Sequence, residues 1–172
     1  MIAYKFLRSD ATSPFTGFAW PLPDGEPGRW IEAPVEPCRS GIHACRRDDL
    51  PLWLGRVLYE VELDGEIVEE PTKLIASRAR LVRRLDAWDD RLQDEYTRMC
   101  AARAHELAIG RSPRLADWDA VIEPSIPEGP ALLGFVAARI AEERGGRTAY
   151  QQERARQARW LAERLSLNGV QV

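Results

Sequence analysis

The sequence predicts an α+β protein in which a small, mostly antiparallel sheet module is followed by packed C-terminal helices. In the first half, apolar residues alternate with a period of two, and prolines and glycines interrupt the chain often. After about residue 87 the apolar positions recur at helical spacing. We therefore expect a strand-rich module over residues 1–86 and a helical extension over residues 87–172 that packs on it in one compact unit.

Short extended segments make up the first half. "IAYKFL" and "GIHAC" read as strands, and "RVLYEVELDG" is the clearest strand of the chain. Its alternation places Tyr59 and Val61 on the core face and Glu60 and Glu62 on the other face. The Asp-Gly pair in "LDGE" predicts a hairpin turn, after which the chain returns as the antiparallel segment "IVEE". "KLIASRARLVRRL" then extends to about Leu85, and "DDLPLWLG" predicts a short helix capped by one of its aspartates.

Three helical segments are predicted in the second half. Residues 88–108 carry apolar side chains at helical spacing. The segment "PALLGFVAARIAEER" begins with Pro130, which suits a first helical turn, and it ends at Gly145 and Gly146. "TAYQ" resembles a capping box, so we expect a last helix to begin at Thr148.

Composition and charge exclude several classes of protein. With 45% hydrophobic and 30% charged residues, the chain has the composition of a folded globular protein. A formal charge of −3 provides no general attraction to nucleic acid, so a nucleic-acid partner is not expected. No apolar run approaches the roughly 20 residues that span a bilayer, and the three cysteines suit a reducing compartment. We expect a cytoplasmic protein without a membrane partner.

The segment "CRSGIHAC" concentrates side chains that can carry chemistry. Cys38, His43 and Cys45 are ligand types that zinc accepts, and a fourth ligand would come from Cys100 or His105. Helix geometry disfavours zinc, because Cys100 and His105 are five positions apart in a predicted helix. Their side chains would diverge by about 140° and could not easily bind the same ion. Three alternatives to a zinc site remain. His43 could be a core histidine bonded to a carbonyl, or it could act as a donor or acid/base at the mouth of a pocket. Cys45 could be a nucleophile with His43 as its base.

Two glutamates on one strand face form the second candidate site. Glu60 and Glu62 lie about 7 Å apart at their Cα atoms, close enough to act on one substrate. "YEVEL" resembles the E-x-E element of arginine-type ADP-ribosyltransferases. The resemblance implies that Glu62 would contact the nicotinamide ribose, that Glu60 would assist the acceptor, and that NAD is a candidate cofactor. We take His43, Glu60 and Glu62 as candidate catalytic residues, with an ordinary solvated strand face as the alternative.

Basic residues form the third candidate site. Arginine guanidinium groups suit phosphate, and they occur in "SRARLVRRL" and on the last helix at Arg154, Arg156 and Arg159. Glutamates on neighbouring strands could instead pair with the arginines of the sheet. The candidate ligand-binding residues are Lys5, Tyr59, Lys73, Arg78 and Arg80.

A second resemblance covers residues 1 to about 88. "C-x2-G-I-H-A-C", "LYEVELDGEI" and "K-L-I-A-x-R-A-R-L-V" are similar to segments of a group of actinobacterial and phage-associated proteins that have no established activity. The resemblance implies that the following residues belong to one unit, and that the helical half is an addition: Cys38, His43, Cys45, Glu62 and Lys73.

Three functions follow from these observations. The leading hypothesis is a small-molecule or nucleotide pocket on the N-terminal sheet, with a transferase-like reaction. The competing hypothesis is a non-enzymatic interaction module, in which the loop containing Trp20 and Trp30 and the arginine-rich helices contact a protein partner. The third is a zinc-stabilised module.

Overall fold

The computed structural model describes residues 1–36, 40–109, 119–125 and 129–167. The chain divides into two compact units, Met1–Ala87 and Trp88–Val172. The predicted α+β class is confirmed, because the first unit holds an antiparallel five-stranded sheet and the second is helical. The strands are β1 (Ile2–Leu7), β2 (Ile31–Glu32), β3 (Ile42–Ala44), β4 (Val57–Glu70) and β5 (Lys73–Arg84). The α-helices are α1 (Asp90–Ala108), α2 (Asp119–Ser125) and α3 (Pro130–Arg164).

The hairpin turn predicted at Asp64 and Gly65 is wrong. Strand β4 continues through both residues to Glu70, which pairs with Lys73, so the chain reverses at Pro71 and Thr72, seven residues after the predicted turn. Gly65 has a φ of +72° and lies in a β-bulge, where two residues of β4 oppose Ser77 alone. Glycine suits both a tight turn and a bulge, which explains why the local pattern was misread.

Backbone hydrogen bonds close the sheet on itself. Strand β4 lies between β1 and β5, and the other edge of β5 pairs with β2 and β3. Cys45, directly after β3, exchanges two backbone hydrogen bonds of 2.8 and 2.9 Å with Tyr4 of β1. Strands β1, β4, β5 and β3 therefore surround a common interior, like a small barrel.

The interior of this closed sheet is the core of the first unit. The predicted core face of β4 is confirmed, since Tyr59, Val61 and Leu63 are all buried in one cluster. Leu58, which the alternation places on the same face as Glu60, is also fully buried. The core cluster consists of Ala3, Leu7, Trp20, Ile42, Ala44, Val57, Tyr59, Val61, Leu63, Leu74, Ala76, Ala79 and Leu81.

A short 3-10 helix, Arg47–Leu52, connects β3 to β4. The prediction that Asp48 or Asp49 caps it is wrong, because the helix begins earlier and both aspartates lie in its first turn. Arg46 occupies the capping position, makes no side-chain cap and instead pairs with Asp49 at 3.0 Å. The pattern located the helix correctly but placed its start too late.

In the helical unit, α1 and the two parts of α3 match predicted helices, whereas α2 was not predicted. Helix α1 begins after Asp89, whose carboxylate accepts a 2.8 Å hydrogen bond from the backbone N–H of Leu92. The predicted break at Gly145 and Gly146 is confirmed, since neither residue has helical dihedral angles and Gly146 has a φ of +69°. Among the described helices, none is long and apolar enough to cross a membrane.

A polar network lies inside the helical unit and is centred on Gln157, which is fully buried. Its amide group donates to the carbonyl of Gly134 and to the carboxylate of Glu153, both at 3.0 Å. Its oxygen accepts a 3.1 Å hydrogen bond from the hydroxyl of Tyr96. Gly134 leaves room for this arrangement, because a Cβ there would lie 2.8 Å from that hydroxyl.

Gln157→Leu is expected to lower the free energy of unfolding of the helical unit by about 2 kcal/mol. The leucine removes the hydrogen bonds that Gln157 makes with the Tyr96 hydroxyl, the Gly134 carbonyl and the Glu153 carboxylate, and each such bond contributes about 0.5–1.5 kcal/mol. Chemical denaturation followed by helical circular dichroism measures the loss. Gln151→Leu, at an exposed position of the same helix, is the control, and equal losses in both variants would contradict the role of the network.

Candidate functional site

Lys5 places a cation inside the closed sheet of the first unit. It stands between Ala3 and Leu7 in β1, and the alternation of the strand turns all three towards the core. Its ammonium group donates a 2.6 Å hydrogen bond to the carbonyl of His43 and lies 5.1 Å from the ring centroid of Trp20. Two predicted ligand-binding residues come together here, because Lys5 pairs with Tyr59 across β1 and β4.

The charge of Lys5 is poorly compensated. Although the residue keeps partial exposure, its ammonium makes no ion pair with a carboxylate of the described part of the chain. Burial lowers the pKa of Lys5 from 10.5 to about 8, because the charged form loses its hydration. A carbonyl oxygen and an indole ring are its observed partners, and both are weaker than a carboxylate.

His43 lies on the other face of the sheet from the Lys5 ammonium. Ile42 and Ala44 face the core, so the half-buried imidazole of His43 points away from it. Burial lowers the pKa of His43, and the charges of Lys73 and Lys5 lower it further, which favours the neutral imidazole at pH 7. Lys73, a predicted ligand-binding residue, forms a 3.2 Å ion pair with Glu70.

Cys45 is a buried thiol. It is 2% exposed, and its sulfur donates to the carbonyl of Tyr4 at 3.4 Å. Burial raises the pKa of Cys45 to about 12, so the reactive thiolate is scarce at neutral pH. Cys38 lies outside the described residues. Within the described ranges, no group of three or more His, Cys, Asp or Glu side chains is placed to hold a metal ion.

The two predicted catalytic glutamates share the outer face of β4, where each is paired with an arginine. Glu60 lies 2.8 Å from Arg83, and Glu62 lies 2.7 Å from Arg80. Strands β1 and β5 separate β4 from β3, so His43 is not on a strand adjacent to either glutamate. The structure therefore groups the glutamates with arginines and leaves His43 in a different part of the sheet.

The predicted phosphate-binding arginines of β5 are also engaged. Arg78 and Arg80 stack on the ring of Trp30, with centroid distances of 4.4 and 4.6 Å. Arg78 further pairs with Asp64 at 3.1 Å. These contacts correspond to the alternative in which acidic residues of a neighbouring strand neutralise the arginines of the sheet.

Sequence reasoning missed Trp20 as the aromatic partner of Lys5. Trp20 is 6% exposed, and its indole N–H donates to the hydroxyl of Ser13 at 2.8 Å, which fixes the ring over the lysine. The alternation in β1 indicates the core-facing position of Lys5, but it does not indicate Trp20, which lies outside this strand.

Comparison with known proteins gives one match. Neither a curated protein nor a solved structure matches the chain. The sequence profile of one family, described as "Domain of unknown function (DUF7666)", matches residues 1–92 of 172, which is more than half of the chain. The match covers all five strands and Lys5, Trp20 and His43. The chain therefore belongs to the DUF7666 family.

Proposed function

We propose that the N-terminal unit is a small-molecule-binding module that holds the phosphate of a nucleotide on the ammonium group of Lys5. The observation that carries the proposal is a core-facing cation whose described partners are a carbonyl and an indole ring. Such a cation favours an anionic ligand, since an anion would restore the stabilisation lost on burial.

The surroundings of Lys5 support a ligand that joins an anion to an aromatic group. Trp20 and Tyr59 contribute aromatic side chains to the cluster around the lysine. A lysine ammonium group binds phosphate as a point charge and does not need the paired N–H donors of an arginine guanidinium group. A nucleotide combines these two chemical features, so it is the ligand class that we test first.

The transferase reaction is not part of this proposal. Glu60 and Glu62 are held in ion pairs with arginines, and neither is adjacent to Lys5 on the core face. The ADP-ribosyltransferase-like reaction stays a prediction, and so does contact with a protein partner.

The scarcity of lysine makes the test specific. Lys5 and Lys73 are the only lysines, so protein labelled with ¹³C at lysine Cε gives two side-chain signals. Without ligand, the Lys5 signal is expected to titrate with a pKa of about 8. Addition of AMP or NAD⁺ is expected to raise that pKa towards 10.5, because a bound anion stabilises the ammonium form.

The Lys73 signal is the internal control and should not respond to the nucleotide. Inorganic phosphate forms a separate arm, and a response to phosphate equal to that of AMP would assign the site to a free anion and contradict a nucleotide. AMP, NAD⁺ and phosphate are each added from about 10-fold to about 1,000-fold molar excess. If the pKa of Lys5 stays near 8 with all three, the proposal is refuted.

A further inference from the structure

Four of the ten residues that line a cleft in the helical unit are arginines. The cleft has a volume of about 330 Å³ and lies beside the break in α3 at Gly145. Four arginines and one glutamate give its lining a formal charge of +3, within a protein whose net charge is −3. The charged residues are Arg103, Arg144, Glu153, Arg156 and Arg159.

Two of the arginines are neutralised within the protein. Glu153 is buried, and its carboxylate receives two hydrogen bonds of 2.6 and 2.9 Å from the guanidinium of Arg156. Arg103 lies 3.3 Å from the same carboxylate and 2.9 Å from that of Glu106. Their role is to balance Glu153, which also accepts from Gln157 in the core.

The other two arginines have no carboxylate partner in the described part of the chain. Arg144 donates a 2.8 Å hydrogen bond to the carbonyl of Leu107 near the end of α1, which fixes the side chain without neutralising it. Arg159 is exposed and lies on the same helical face as Arg156, three residues away. Two uncompensated guanidinium groups therefore border one cleft.

The break in α3 contributes to the shape of the cleft. Gly145 has a φ of −138° and a ψ of 16°, outside the helical range, and the chain changes direction there. A Cβ at this position would lie 2.9 Å from the Cβ of Ala149. Both parts of α3 thus line the cleft, with Arg144 before the break and Arg159 after it.

We propose that this cleft is a binding site for a small phosphate monoester. The dianionic phosphate matches the two uncompensated guanidinium groups, which bind oxyanions through paired N–H donors. Leu107, Ala141 and Ala149 provide an apolar wall for a compact organic group. The volume lies at the lower end of the range of about 300–1,000 Å³ found for ligand pockets. The site is separate from Lys5 and does not depend on the function proposed for the first unit.

Titration of the ¹⁵N-labelled full chain with glycerol 3-phosphate at constant ionic strength tests the proposal. The backbone amides of Gly145 and Ala149 are expected to shift and to saturate. Arg159→Gln is expected to weaken binding about tenfold, the loss that corresponds to one charge-assisted hydrogen bond. Because Arg159 is exposed, this substitution should leave the fold intact, which the remaining amide signals verify.

Arg98→Gln is the matched control. Arg98 is also an exposed arginine of the helical unit, it does not line the cleft, and its substitution changes the charge equally. It should change the affinity measured at the Gly145 and Ala149 amides less than twofold. Equal losses in Arg98→Gln and Arg159→Gln, or shifts that never saturate, would show general charge attraction and overturn the proposal.

Discussion

Gly41→Ala is expected to lower the free energy of unfolding of the N-terminal unit by about 4 kcal/mol. Gly41 precedes β3 with a φ of +124°, a conformation that costs other residues about 1–3 kcal/mol. A Cβ there would also overlap the Cγ2 atom of Ile75, which is fully buried in β5 and cannot move aside. Such overpacking costs about 1–3 kcal/mol more.

Hydrogen exchange of the amides in β3 and β5 measures this loss within the first unit. Gly25→Ala is the control, because Gly25 also has a positive φ, of +74°, but open space where the Cβ would be. The control is expected to lose only about 1 kcal/mol. If both variants lose the same amount, the close approach to Ile75 contributes nothing and the packing argument is wrong.

Lys5→Met is expected to raise the free energy of unfolding by about 3 kcal/mol at pH 7. Folding lowers the pKa of Lys5 from 10.5 to about 8, and each pH unit of that difference corresponds to 1.36 kcal/mol against the charged form. Methionine has a similar shape and carries no charge, so it removes this penalty. A residue that costs stability in this way is typical of a functional position.

The pH dependence identifies the cause of that gain. Between pH 8 and 10.5 the unfolded chain still binds a proton at Lys5 while the folded chain has released it, so wild-type stability due to Lys5 rises with pH. The advantage of Lys5→Met should therefore shrink by about 3 kcal/mol between pH 7 and 10.5. Denaturation at both pH values measures it. The buried Cys45 thiol, whose pKa is raised to about 12, stays protonated in both folded proteins over this range. A constant advantage would contradict the assigned pKa of Lys5.

Local periodicity predicted strand segments at β1, β3, β4 and β5, but neither the short β2 nor the pairing of the strands. The alternation in "RVLYEVEL" identified the buried face of β4, because the pattern of every second residue being buried lies within one short continuous segment. Asp64 and Gly65 were misread because a turn and a bulge require the same glycine. The partner strand decides between them, and its register depends on residues far along the chain.

The candidate site shows the same division between local and distant information. Lys5 is among the candidate ligand-binding residues, and its core-facing position follows from the alternation in β1. Its partners could not be predicted, since Trp20 arrives from a loop and His43 lies 38 residues away. Glu60 and Glu62 were placed on the correct face, but their pairing with arginines depends on the register of β4 and β5.

The bridge between Tyr4 and Cys45 also bears on how the protein behaves at high concentration. A strand at the border of an open sheet offers unpaired N–H and C=O groups to strands of other molecules, which leads to aggregation. At Tyr4 both backbone groups are already occupied by Cys45 of the same chain. Closure of the sheet therefore protects this edge of β1 against intermolecular strand addition, and no charged side chain is needed there to block it.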